Sequence, residues 1–177
     1  MKSSSVSLLE EDHESLAQLL AELDAELAEP NIARAFALID LFWARLAVHI
    51  RAEHLHLFPA ITNAPDSLFT GKGTLPTSEE AHSLLLRLRS DHDFFMKELA
   101  SAIKVMREIA GNQQASAKDI QDVRQRLIVI KERLKVHNQL EEKRVYTWPE
   151  IIFDEPTVVR LRESLRHELE NLPPRFD

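Results

Sequence analysis

At 177 residues and 44% hydrophobic content, the chain can bury one sizeable core and hardly two. A formal charge of −7 argues against a nucleic acid or an anionic membrane as partner, because both demand a cationic face, and no apolar run is long enough to span a bilayer. The lack of cysteine removes disulfides, thiolate metal sites and thiol catalysis together and points to a cytoplasmic setting, while three glycines among abundant Leu, Ala, Glu and Arg point to an all-α chain.

The first helix is expected over about 8–29, opened by a capping pair of Ser7 and Glu10 and closed by Pro30. Its stripe is Leu9, His13, Leu16, Leu20, Leu23 and Leu27, so a histidine occupies a leucine slot. The second helix, about 32–58, repeats the rhythm as Ala35, Ile39, Phe42, Leu46, His49, Glu53 and His56, with Pro59 as its stop. A loop from 59 to 77 follows, read either as a lid over the nearby polar residues or as a surface connection. Thr77 and Glu80 form a second capping box, and the third helix carries Leu85, Leu88, His92, Phe95, Leu99, Ala102, Met106 and Ile109 before Gly111 ends it. The fourth helix reads Ile120, Val123, Leu127, Ile130, Leu134, His137 and Glu141, then enters "VYTWPE". Residues 1–150 thus form one bundle domain, and 151–177 a helical tail with Val158, Leu161, Leu165 and Leu169 on one side. That side either covers the bundle or pairs with a second copy in a homodimer.

Four long amphipathic helices with short connections predict an up-down-up-down four-helix bundle with an extra C-terminal helix. Direction then decides where the polar intrusions meet. His13 and His92 lie near the starts of the odd helices, and His49 with Glu53 and His137 with Glu141 near the ends of the even ones, which is one end of such a bundle. The even helices also share a longer pattern, "RLAVHIRAE" at 45–53 and "RLKVHNQLE" at 133–141, while "EDH" and "SDH" open the odd ones. The chain reads as two copies of a helix hairpin about a pseudo-two-fold axis. Residues i and i+4 stand one above the other, about 6 Å apart along a helix, so each His–Glu pair projects together into the interior. Burying facing carboxylates without a counter-charge is costly, whereas a divalent metal pair takes imidazole nitrogens and bridging carboxylate oxygens as ligands. Mixed nitrogen and oxygen ligation favours non-haem iron or manganese over structural zinc.

Those residues, a lone His in the odd helices and HxxxE in the even ones, resemble the bacterial hemerythrin-like proteins of the HHE cation-binding type over roughly 8–150. The resemblance implies two carboxylate-bridged non-haem iron ions, with His13 and His49 serving one, His92 and His137 the other, and Glu53 and Glu141 bridging. Oxygen-carrying hemerythrins have a fifth histidine in the slot that Met96 holds here, with His56, His82 or water as its replacement. Those carriers also place the last carboxylate one residue later, at Glu142, but the i+4 spacing and the internal repeat favour Glu141. Asp12 and Asp91, each before a candidate ligand, cap their helices or orient a neighbouring imidazole. His54 is one step off the stripe and is expected to face solvent; His167 lies in the tail. The implied function is binding of oxygen, nitric oxide or peroxide by a sensor, buffer or stress-response protein. Two other classes stay open: an oxidoreductase turning over peroxide or nitric oxide, and a helical interaction module holding zinc or no metal.

Overall fold

A computed structural model describes residues 7–28, 31–112 and 116–172. Helices α1 (Ser7–Ala28), α2 (Ile32–Ala52), α4 (Ser78–Asn112) and α5 (Ala117–Lys143) form an antiparallel four-helix bundle. Short helices α3 (Phe58–Thr62) and α6 (Pro149–Ile152) and the C-terminal α7 (Glu155–Glu170) complete the chain. Among the described residues there is no strand, and no helix is long and apolar enough to cross a membrane. Ser7 is already helical, and Pro30, the expected stop of the first helix, lies outside the described residues.

The caps follow the expected chemistry. The Thr77 amide donates to Glu80 Oε2 at 2.8 Å and the Glu80 amide to Thr77 Oγ1 at 3.3 Å, which closes the box in both directions. Asn31, Ser116 and Asp154 each accept from an amide three residues on, at 3.2, 3.1 and 3.0 Å, a contribution of about 1 kcal/mol per helix. Gly111 does not end α4, which runs one residue further to Asn112.

Pro59 does not stop the second helix either. The Phe58 amide bonds to the Glu53 carbonyl five residues back, so Glu53–Leu57 form one wide π-turn, and α3 continues through Pro59 to Thr62. Proline has no N–H for the carbonyl four residues earlier and clashes with it. Widening the preceding turn removes that conflict, and it falls on a residue of the polar cluster.

The interior has two apolar clusters. The larger fills the bundle away from the polar end, with Leu16, Leu46, Phe95 and Leu134 at its border. The smaller contains Leu9, Leu57, Phe58, Leu88, Tyr146 and Trp148. The 59–77 segment belongs to this second cluster through Ile61, Ala64 and Phe69, whose ring meets Trp148 edge-on at 6.5 Å, so it is an apolar floor beneath the polar end. Thr70 pairs with Thr77 across a turn that needs positive φ at Gly71 and Gly73. Val158, Leu161 and Leu165 of α7 are buried against α2 and the π-turn of the same chain, and Arg51 reaches Glu168 and the Asn171 carbonyl to hold the helix end.

Candidate metal centre

Between the two apolar clusters lies one polar layer. His13 sits between Leu9 and Leu16, His92 between Leu88 and Phe95, and His49 and His137 each three residues after a core leucine, Leu46 and Leu134. All four imidazoles are buried, and Glu53 and Glu141 are 0% exposed. The structure therefore brings together all six residues singled out from the sequence.

Their geometry is paired. His13 Nε2 lies 3.1 Å from His49 Nε2, and His92 Nε2 lies 2.9 Å from His137 Nε2. The carboxylates stand between the pairs. Glu141 is 3.4 Å from His13, 3.0 Å from His137 and 3.7 Å from His92, and Glu53 is 3.3 Å from His92 and 3.8 Å from His49.

The outer nitrogens decide which protons the rings carry. His49 Nδ1 donates to Asp12 Oδ2 at 3.0 Å, and Asp12 Oδ1 accepts from Arg45 at 2.6 Å. His137 Nδ1 donates to Asp91 Oδ2 at 3.3 Å, and Asp91 Oδ1 accepts from Arg133 Nε and Nη2 at 2.9 and 2.5 Å. Of the two roles open to Asp12 and Asp91, the structure shows imidazole orientation. The repeated arginine four residues before each histidine is the other half of that clamp. His13 Nδ1 donates to Glu142 Oε1 at 2.9 Å. A carboxylate only accepts, so His13 and His49 hold their proton at Nδ1 and turn bare Nε2 lone pairs toward each other. Two lone pairs at that distance repel unless a cation lies among them.

Electrostatics tell the same story. Burial, with the charge of Glu141 beside it, pushes Glu53 up to about 8, and burial raises Glu141 as well. Burial, then the neighbouring His137, drives His92 far below the usual histidine range, and burial lowers His137 too. Asp12 goes the other way: burial alone would raise it, but the His49 hydrogen bond and the Arg45 charge hold it below the usual carboxylate value. Glu53 Oε2 and Glu141 Oε1 are buried with no hydrogen-bond partner, a costly state for a carboxylate. His13, His49 and Glu141, and again His92, His137 and Glu141, offer ligand atoms within 4.8 Å of one another. Imidazole nitrogens, unpartnered carboxylate oxygens and an apolar surround are a donor set suited to metal ions, and the residues fit it.

Several expectations need correction. His56 does not enter the layer. In the wider π-turn each residue advances by a smaller angle, so His56 falls behind the buried stripe and lies 3.5 Å from Glu168 of α7. His82 is exposed and donates from Nδ1 to the Ser78 carbonyl at 2.8 Å. Neither replaces the fifth histidine. His54, expected in solvent, is half-buried with its Nε2 2.9 Å from His92 Nδ1, and stands to Glu53 as Glu142 stands to Glu141. Glu141 is the interior carboxylate; Glu142 is 38% exposed and works from outside. The residue that the pattern missed is Tyr146. Its fully buried hydroxyl donates to Glu53 Oε1 at 2.7 Å and lies 3.3 Å from His13 Nε2. Burial and the two glutamates raise its pKa well above the ordinary phenol value, so it stays protonated in the metal-free chain. The signal was available, as it is the one tyrosine in the sequence, five residues after Glu141.

A family model, the hemerythrin HHE cation-binding domain, matches residues 4–148. No curated protein and no solved structure matches the chain.

Proposed function

Because this chain belongs to the hemerythrin HHE cation-binding family, we propose that its polar layer is a non-haem di-iron centre that binds a small ligand such as oxygen, nitric oxide or peroxide, in a cytoplasmic sensor, buffer or stress-response protein. The observation that carries this reading is the pairwise facing of four histidine Nε2 atoms around two buried carboxylates with unpartnered oxygens. His13 and His49 would hold one ion, His92 and His137 the other, and Glu53 and Glu141 would be shared. When bound, such a pair supplies one-electron redox steps and coordination positions open to a small ligand.

The chain's own residues do the rest. Asp12 and Asp91 keep the Nδ1 protons of His49 and His137 in place and so leave their Nε2 atoms free to ligate. Tyr146 holds Glu53 in one orientation and is the nearest buried proton to the carboxylates. The apolar clusters on either side keep bulk water from the layer.

Elemental analysis after anaerobic iron loading and desalting tests the reading, with His49→Ala and His137→Ala alongside. About two irons per chain in the parent, and a large loss in the variants, support it. Retention of zinc in place of iron, or of no metal, refutes it in favour of an interaction module. Sustained turnover of peroxide or nitric oxide with an electron donor would then mark an oxidoreductase and not a binding protein.

A further inference from the structure

The two halves of the molecule differ at one seam. The pseudo-two-fold axis relates the α1–α5 contact to the α2–α4 contact, yet the backbones of α1 and α5 approach each other along far less of their length. A groove of about 620 Å³ opens there. Its floor includes Ala17, Leu20 and Leu134, its deep end reaches His13, and its far end is closed by the Lys131–Asp24 ion pair at 2.5 Å. From His13 to Asp24 it follows α1 for ~16 Å.

The duplicated sequence identifies the side chains responsible. Four residues after each odd-helix histidine stand Ala17 in one half and Met96 in the other. One residue after each even-helix histidine stand Asn138 and Ile50. Ile50 belongs to the main core and Met96 packs against it, so that seam is sealed. Ala17 is small and exposed, and Asn138 lines both the groove and the tight internal space bounded by His13, His49, His92 and His137. The Asn138 Oδ1 atom is buried and has no hydrogen-bond partner. A polar residue with an unmet acceptor thus stands where groove and inner space meet, beside His13 and Leu134, which line both.

We propose that the α1–α5 groove is the entrance for small uncharged ligands, with Ala17 holding it open and the Asn138 amide forming a polar neck that favours ligands bearing an O–H donor, the chemistry of hydrogen peroxide, over apolar diatomics. The apolar floor suits uncharged molecules, and with Lys131 paired to Asp24 the remaining rim charges, Glu14, Glu132 and Glu142 against Lys135, are net acidic and disfavour anions. The amide passes a hydrogen-bonding ligand at a position where the sealed half has isoleucine.

This inference rests on the proposed di-iron centre for its kinetic test only. Stopped-flow mixing of the iron-loaded, ferrous chain with nitric oxide, and separately with hydrogen peroxide, supplies the rates. In the peroxide reaction two ferrous ions give one electron each, and peroxide with two protons leaves as two waters. Ala17→Met, which copies the sealed half, should slow both probes about tenfold or more at unchanged iron content, and Met96→Ala, which opens no more than the other seam, should slow neither. Asn138→Leu, of similar size, should slow peroxide more than nitric oxide. Equal rates in Ala17→Met and the parent overturn the entrance, and an unchanged ratio of the two probes in Asn138→Leu overturns the neck. A second measurement needs no metal: methyl relaxation of the iron-free full chain under dissolved oxygen, which is paramagnetic. Enhancement at the buried methyls of Leu20 and Leu134 above that of the other buried core leucines, and lost in Ala17→Met, supports the entrance even if no iron is retained; enhancement at Leu20 and Leu134 no greater than at those leucines overturns it.

Discussion

Replacing Glu53 with glutamine should stabilise the metal-free protein at alkaline pH and weaken its stabilisation by metal. In the folded chain Glu53 is fully buried beside Glu141, which pushes its carboxyl up to about 8 from the ordinary 4.5. Between those values the folded state keeps a proton that the unfolded state has released. The stability this group contributes is complete below 4.5 and is lost as pH rises through about 8. At about 1.4 kcal/mol per pH unit the total is on the order of 5 kcal/mol. Glutamine resembles the protonated acid at every pH. The variant's advantage should therefore grow from on the order of 1 kcal/mol at pH 5.5 to on the order of 5 kcal/mol at pH 9. His92 and His137, both lowered, contribute with the opposite sign: their stability is present above 6.5 and is lost as pH falls. Because the Glu53 charge is among those that act on His137, this effect cancels in the difference only above 6.5, where both histidines are neutral in the folded and the unfolded chain. Urea unfolding followed by far-ultraviolet circular dichroism, in chelator and across this pH range, measures the gap. With metal at a hundred times its Kd the parent gains about 2.7 kcal/mol that the variant lacks, so the order should invert near pH 5.5 and the gap at pH 9 should shrink by about that amount. A gap that stays flat with pH, or a glutamine variant less stable than the parent at pH 9 without metal, would refute the account of Glu53.

Asp12→Asn and Asp91→Asn should each weaken metal binding roughly 10- to 100-fold in a chelator competition, because each frees one imidazole from its Asp–Arg clamp. Tyr146→Phe leaves Glu53 Oε1 without its donor and should cost about 1–3 kcal/mol in urea unfolding of the metal-free chain at pH 9. His54→Ala should lower metal affinity, whereas His56→Ala should leave metal content unchanged and lower only the melting temperature through the loosened α7 contact.

Local chemistry accounts for what was legible in advance. The helix faces follow from hydrophobic spacing, the cap at Thr77 from its reciprocal pairing with Glu80, and the meeting of six polar residues from helix direction alone. The internal repeat even carried the Asp–Arg–His clamps, although their purpose appears only when Arg45 meets Asp12 and Arg133 meets Asp91 across helices. The π-turn was not legible, because periodicity assumes one turn width, and a proline can end a helix or be carried through by widening the turn before it.

By itself, then, the sequence determined the bundle, its direction and the level at which histidines and glutamates converge, since these depend on spacing along single helices. Only the tertiary structure decided that His54 and not His56 stands beside the layer, that Tyr146 reaches Glu53 from beyond the last bundle helix, and that one of two seams stays open. Each of those depends on the angle and distance between elements. A one-residue change in turn width, or alanine in place of methionine, alters that angle or distance while leaving the apolar pattern the same.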